Sequence, residues 1–257
     1  MPVRSSYIQG TPNWIDLSTS DQGAAKEFYG ELFGWTFDDQ PMAEGVYSMA
    51  LKAAGLVGAI SVLPPDLAAQ NTPAMWNTYL AVDDVDATLA RVDAAGGKIA
   101  MAPFDVTDAG RMAFIIDPTG APLAIWQANT HIGATLVNEP GSVIWNDLRT
   151  DDVGAATSFY EAVFGLIADP QESGTTPYVS LRTGNDAVAG ISARTDEAAP
   201  NEWQIYFAVE NTESVAAHAL ALGGNVILEP IDTPIGPMAT LADPQGAIFN
   251  VIAIATS

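Results

Sequence analysis

Trp14-Ile15-Asp16-Leu17, followed by Asp21, Phe28-Tyr29 and Phe33-Gly34, returns 131 positions later as Trp145-Asn146-Asp147-Leu148, Asp152, Phe159-Tyr160 and Phe164-Gly165. At slightly shorter offsets Trp76 is matched by Trp203, Gly96-Gly97 by Gly223-Gly224, and Asp117-Pro118-Thr119-Gly120 by Asp243-Pro244-Gln245-Gly246. The offset changes only in turn-rich stretches, as it does when insertions fall in surface loops. The chain therefore divides into two homologous units of about 120 residues. We bound them at 8–128 and 142–255, with a linker at 129–141.

Each unit also reads as two similar halves. Residues 14–19 have the pattern of a short strand. Residues 20–33 follow as a helix, with Ser20 or Asp21 as its cap and Gly34 as its terminator. The pattern recurs at 77–82, a strand, and after Asp84, a helix with Val85, Leu89 and Val92 on one face that stops at Gly96-Gly97. Extended apolar runs come after each helix, at 46–51 with 56–63 and at 112–116 with 122–127. The economical reading is an α+β protein of four βαβββ modules. Helices on one face of curved, mixed or antiparallel sheets leave the other face free to wrap a cleft.

Composition narrows the function. The 257 residues carry 31 acidic and 9 basic side chains, a formal net charge of −22, with 48% hydrophobic and 16% charged residues. That apolar content belongs to a globular chain, since disorder needs low hydrophobicity as well as high net charge. Nine scattered cations cannot neutralise a run of phosphates, so no nucleic-acid partner is expected, and the same field repels anionic membranes. It favours cationic over anionic small molecules. No cysteine is present, which removes disulfides, thiolate metal sites and cysteine nucleophiles. No apolar run is long enough to span a membrane and no signal segment opens the chain, so the expected compartment is the cytoplasm, with export by a route without a cleaved signal still compatible.

On Asp21 with Phe28-Tyr29 and Phe33-Gly34-Trp35, on 84–97, on Asp117-Pro118-Thr119-Gly120 and on their second-unit counterparts, the chain resembles the glyoxalase/bleomycin-resistance/extradiol-dioxygenase superfamily, also called vicinal oxygen chelate proteins. The resemblance runs from about residue 11 to 254 and is closest to a tandem two-domain actinobacterial group. It implies a divalent metal held by His, Glu or Gln at set positions. In this sequence those positions hold Trp14, Asn77 and Ala124 in the first unit, and Trp145, Gln204 and Asn250 in the second. The remaining implied ligand falls within 56–63 or 188–194, which contain no acid and no His. Indole is a donor without a usable lone pair, and amide oxygens alone bind transition metals weakly. No metal and no cofactor are expected. His131 in the linker and His218 on a helix lie at none of the implied positions.

Strand alternation gives these positions another use. Trp14, Asp16 and Ser18 share the face of the missing ligand, as do Trp145, Asp147 and Arg149; Asn77 and Tyr79, or Gln204 and Tyr206, lie in phase across each cleft, with Trp126 and Asn250 further along. Such a wall of aromatic rings, amides and a carboxylate suits a flat organic ligand, aromatic and cationic in character. Asp16 and Asp147 are the candidate general bases, and equally placed to accept structural hydrogen bonds. Trp76 and Trp203, and the Phe-Tyr pairs at helical spacing, read as core. The Asp-Pro-x-Gly segments read as turns. Arg149 for Ser18, Gln204 for Asn77 and Asn250 for Ala124 distinguish the units, so that one cleft can bind while the other is closed; the residues leave open which.

The leading expectation is a metal-independent binding protein for a small aromatic, natural-product-like molecule, acting in drug sequestration, as monomer or homodimer. The alternative is a metal-free tailoring enzyme that isomerises, cyclises or, with a cofactor, oxygenates an aromatic substrate, using Asp16, Asp147, Tyr79 or Tyr206 for proton transfer. A metal-dependent glyoxalase ranks below both because that chemistry needs a Lewis acid. A flavin-type carrier has aromatic clefts in its favour but no dinucleotide fingerprint.

Overall fold

A computed structural model describes residues 4–42, 45–53, 55–70, 72–171 and 177–253. The first sheet comprises β1 (Pro12–Thr19), β2 (Thr36–Pro41), β3 (Val46–Lys52), β4 (Gly55–Val62), β5 (Met75–Ala81), β6 (Lys98–Val106), β7 (Gly110–Ile116) and β8 (Pro122–Ala128), in spatial order β2-β3-β4-β1-β5-β8-β7-β6. The second repeats this order with β9 (Val143–Thr150), β10 (Ile167–Gln171), β11 (Tyr178–Thr183), β12 (Asp186–Ala193), β13 (Glu202–Ala208), β14 (Asn225–Ile231), β15 (Met238–Ala242) and β16 (Ile248–Ile252). The halves of each unit meet at a central antiparallel pair, β1 with β5 and β9 with β13. That register sets Trp14 opposite Tyr79 and Asp16 opposite Asn77, and likewise Trp145 opposite Tyr206 and Asp147 opposite Gln204.

The helices are α1 (Gln22–Phe33), a short α2 (Pro65–Ala69), α3 (Val85–Val92), α4 (Val153–Phe164) and α5 (Thr212–Ala221). Asp21, Asp84, Asp152 and Asn211 cap the four longer ones by accepting a backbone N–H of the first turn, and Gly34 and Gly165 end α1 and α4 in the left-handed region. The edge strand β2, reading Thr-Phe-Asp-Asp-Gln-Pro and almost wholly exposed, is the first of the three strands that the βαβββ module places after its helix, although no apolar period marks it.

The helical faces of the two sheets pack on each other across the units. One core joins Phe28, Tyr29, Phe33, Trp35 and Trp76 to Phe207, Phe249 and Val251; the other joins Leu80, Leu89 and Ile115 to Phe159, Tyr160, Phe164 and Trp203. The Tyr29 hydroxyl accepts from Trp76 Nε1 at 3.0 Å and donates to Asp243 Oδ2 at 3.2 Å; Tyr160 accepts from Trp203 Nε1 at 2.9 Å and donates to Asp117 Oδ2 at 3.0 Å. The other carboxylate oxygen of each aspartate closes its own turn through backbone N–H groups. The Asp-Pro-x-Gly segments, read from sequence as turns alone, thus also receive the tyrosine of the opposite unit. Trp76 and Trp203 are core residues, as expected.

Candidate functional site

The helix-free face of the first sheet is occupied by the protein itself. Asp16 is buried and accepts three hydrogen bonds: Asn77 Nδ2 at 2.8 Å on Oδ1, and the Tyr47 and Tyr79 hydroxyls at 2.9 and 2.7 Å on Oδ2. Trp14 Nε1 donates to the Tyr47 hydroxyl at 2.9 Å, which completes a chain from indole to carboxylate. Burial raises the Asp16 pKa against these three donors, and burial together with the Asp16 charge lifts Tyr47 and Tyr79 well above an ordinary phenol. Around this group Trp14, Ala59, Tyr79, Met112, Ala124 and Trp126 form an apolar cluster that Met49 and Phe114 extend.

The linker seals it. Ala134 N donates to Asn13 O at 2.7 Å and Thr135 N to Leu56 O at 2.9 Å; Trp126 Nε1 donates to His131 O at 2.7 Å. The His131 ring stands edge-on to Trp14 and Trp126, with centroids 4.6 and 5.6 Å away. Burial lowers its pKa to about 4, so it is neutral at pH 7. The segment treated in the sequence as a joint between units is also the cover of the first face.

The second sheet keeps the plan and changes the lining. Trp145 Nε1 donates to the Tyr178 hydroxyl at 3.0 Å, as Trp14 does to Tyr47. The register equates Ser180 with Met49, Gly190 with Ala59, Thr240 with Phe114, Asn250 with Ala124 and Ile252 with Trp126. Bulk and apolar surface are lost at each of the first three places, and Trp145 is half-buried where Trp14 is buried. Asp147 is 5% exposed and accepts from Ser192 Oγ at 2.9 Å through Oδ2, while its Oδ1 has no partner. Arg149 reaches the Tyr206 hydroxyl at 3.4 Å through one terminal nitrogen, and its buried Nε has no partner either. Asn250 accepts from Thr240 at 2.7 Å and donates to Gln204 Oε1 at 3.3 Å.

The Asp147 pKa rises to about 6: burial dominates, opposed by the Ser192 hydrogen bond, the Arg149 charge and the polar groups of Tyr178 and Trp145. A Cβ on Gly190 would collide with both the Tyr178 hydroxyl and Asp147 Oδ1, so this glycine makes room for the pair.

All nine expected ligand-facing residues and both aspartates thus fall on the two helix-free faces: Trp14, Asp16, Asn77, Tyr79 and Trp126 on the first, Trp145, Asp147, Arg149, Gln204, Tyr206 and Asn250 on the second. Tyr47 and Tyr178, Ala59 and Gly190, and the covering role of His131 were missed. The first two pairs obey the same 131-residue offset that reveals the repeat, so the sequence carried their signal. The donor sets do not fit a divalent transition metal. The first face offers Asp16, and the second Asp147 and Glu202, among indoles, phenols, hydroxyls and amides, and no group of three His, Cys, Asp or Glu comes together among the described residues.

The model of the Glyoxalase/Bleomycin resistance protein/Dioxygenase superfamily matches twice, at residues 11–125 and 133–251. The provisionally named glyoxylase CFP32 of Mycobacterium tuberculosis (strain CDC 1551 / Oshkosh) is 52% identical over 256 residues, 98% of each chain. The anthracycline biosynthesis protein DnrV of Streptomyces peucetius is 39% identical over 261 residues, covering 96% of this chain and 94% of its own. Among solved structures, the Mn(II)-bound glyoxalase from Novosphingobium aromaticivorans superposes with a TM-score of 0.67 at 15% identity, over 96% of this chain and 82% of that one. The 2,3-dioxygenase LapB from Pseudomonas sp. KL28 gives 0.64 at 13% identity, over 97% and 94%. Two tandem domains of this fold, each built on an eight-stranded mixed sheet, follow from the topology and the double match. No helix among the described residues is long and apolar enough to cross a membrane.

Proposed function

We propose that this chain, which belongs to the glyoxalase/bleomycin-resistance/dioxygenase superfamily, binds a small planar aromatic molecule on the helix-free face of its second domain, without a metal. The observation that carries the reading is the contrast at the paired aspartates: Asp16 has both oxygens engaged beneath a cover of its own chain, whereas Asp147 keeps one oxygen unpartnered beside a half-buried tryptophan. The relatives named for anthracycline biosynthesis support an aromatic natural product as the ligand class. Drug sequestration is the role that follows if binding occurs without turnover. Six tryptophans serve as reporters.

The test is calorimetric titration with an anthracycline, doxorubicin, with and without EDTA. It is run beside an assay for isomerisation of the methylglyoxal–glutathione adduct. One saturable site per chain, unaffected by EDTA, with no glyoxalase turnover, supports the reading. Chelator-sensitive turnover of the adduct overturns it.

A second reading, proton transfer during tailoring of the bound molecule, draws on the position of Asp147. A carboxyl group that titrates near pH 6 is matched to accept a proton from an activated C–H at neutral pH. Exchange of the α-protons of 1-tetralone in D2O, above the buffer rate and lost in Asp147→Asn, would support catalysis; exchange equal to buffer leaves binding alone.

A further inference from the structure

We infer that the second face selects a ligand carrying two opposed hydrogen-bonding poles, an acceptor for Arg149 Nε and a donor for Asp147 Oδ1, on one aromatic edge. The inference rests on the binding reading above and specifies its ligand class. Residues 147 and 149 alternate along β9 and so project from the same side, roughly 7 Å apart along the strand. Both atoms are buried and both lack partners, a condition that native structures seldom leave unmet.

Ser192 spends its hydroxyl hydrogen on Asp147 Oδ2, whereas Tyr178 and Tyr206 accept from Trp145 and Arg149 and keep their own hydroxyl hydrogens, so a ligand donor at Asp147 competes with Tyr178 while Arg149 Nε has no acceptor beside it. The homologous positions of the first face lack the demand: Asn77 donates to both Asp16 Oδ1 and Ser18 Oγ, which leaves no orphan at either residue.

The chemistry that meets both atoms is a ring system with a carbonyl or ether oxygen at one point and a hydroxyl or amine at another, separated by about the width of one or two rings. Glu202, opposite Arg149 in the register, adds a second carboxylate to this face, so its lining remains net negative and agrees with the preference for cations expected from the overall charge of −22. A hydroxyquinone meets these requirements; a hydrocarbon, a quinone or a phenol alone meets half of them or fewer. Since the chain contains no cysteine, quinone probes have no thiol to alkylate and report reversible binding.

The test is calorimetric titration of the intact chain at pH 8 with 2-hydroxyanthraquinone, anthraquinone and 2-hydroxyanthracene. The inference expects 2-hydroxyanthraquinone to bind at least tenfold more tightly than either single-pole probe. Arg149→Ser, which installs the residue that Ser18 provides in the first unit, should weaken 2-hydroxyanthraquinone about tenfold and leave 2-hydroxyanthracene unchanged. Three equal affinities in the native protein, or equal losses for all probes in Arg149→Ser, would overturn the two-pole selection while leaving aromatic binding intact. No binding of any probe would overturn the underlying reading as well.

Discussion

The two helix-free faces share a register, a Trp–Tyr hydrogen bond and a central buried aspartate, yet they solve the problem of that aspartate in opposite ways. On the first, Asn77, Tyr47 and Tyr79 saturate Asp16, and Met49, Phe114, Trp126 and the linker's His131 close over it. On the second, Ser180, Thr240 and Ile252 replace the bulk, Gly190 replaces Ala59, and Asp147 and Arg149 are left with unmet hydrogen-bonding capacity. Duplication has preserved the scaffold, while the first face has become core and the second keeps buried polar atoms without partners.

The contrast is broken most severely at Gly190. Gly190→Ala displaces Tyr178 and Asp147 and is expected to weaken aromatic ligand binding by about a hundredfold, since misplacing one desolvated anchor is worth 2 kcal/mol or more. Ala59→Gly on the first face should leave affinity unchanged. A calorimetric titration of each variant decides between unlike and equivalent faces.

The aspartates should separate in sign. Folding raises the Asp147 pKa from 3.8 to about 6, so the unfolded chain releases its proton first and stability falls as pH rises from about 4 to about 6, then levels. Asp147→Asn removes that slope and is expected to stabilise the protein by about 1–3 kcal/mol at pH 7. Asp16→Asn keeps one acceptor oxygen and turns the other into an NH2 group facing either the Asn77 amide or the two tyrosine hydroxyls, and should destabilise the protein by about 1–3 kcal/mol. Chemical denaturation of both variants at pH 4.5 and 7 measures this, and equal signs at pH 7 would break the comparison.

The smallest effect concerns the cover. With its pKa lowered from 6.5 to about 4, His131 contributes stability that is complete above pH 6.5 and is lost as pH falls towards 4. His131→Phe keeps the edge-on packing and removes the titration, so its melting temperature should fall less than that of the native chain between pH 6.5 and 4.5.

Much of this was legible in the sequence because duplication prints each structural requirement twice. The caps Asp21, Asp84, Asp152 and Asn211, the terminators Gly34 and Gly165, and the phase of Trp14, Asp16, Asn77 and Tyr79 all follow from spacing. What stayed hidden depends on contacts between distant segments. The bonds from Tyr29 to Asp243 and from Tyr160 to Asp117 bridge the units, and no local pattern encodes them. The fold of 131–137 onto the first sheet depends on β1 and β4 presenting free backbone groups. The contrast of Ala59 with Gly190 was printed in the repeat, but its meaning needed Tyr178 and Asp147 placed above the glycine.

The central claim, that one face of two holds an aromatic ligand without a metal, is tested most directly by native mass spectrometry of the chain with 2-hydroxyanthraquinone, before and after EDTA, with metal analysis of the same sample. The account predicts one ligand per chain, no stoichiometric divalent metal, no change on chelation and loss of the bound mass in Gly190→Ala. A ligand that leaves with a chelated metal, or two ligands per chain that persist in Gly190→Ala, would contradict it.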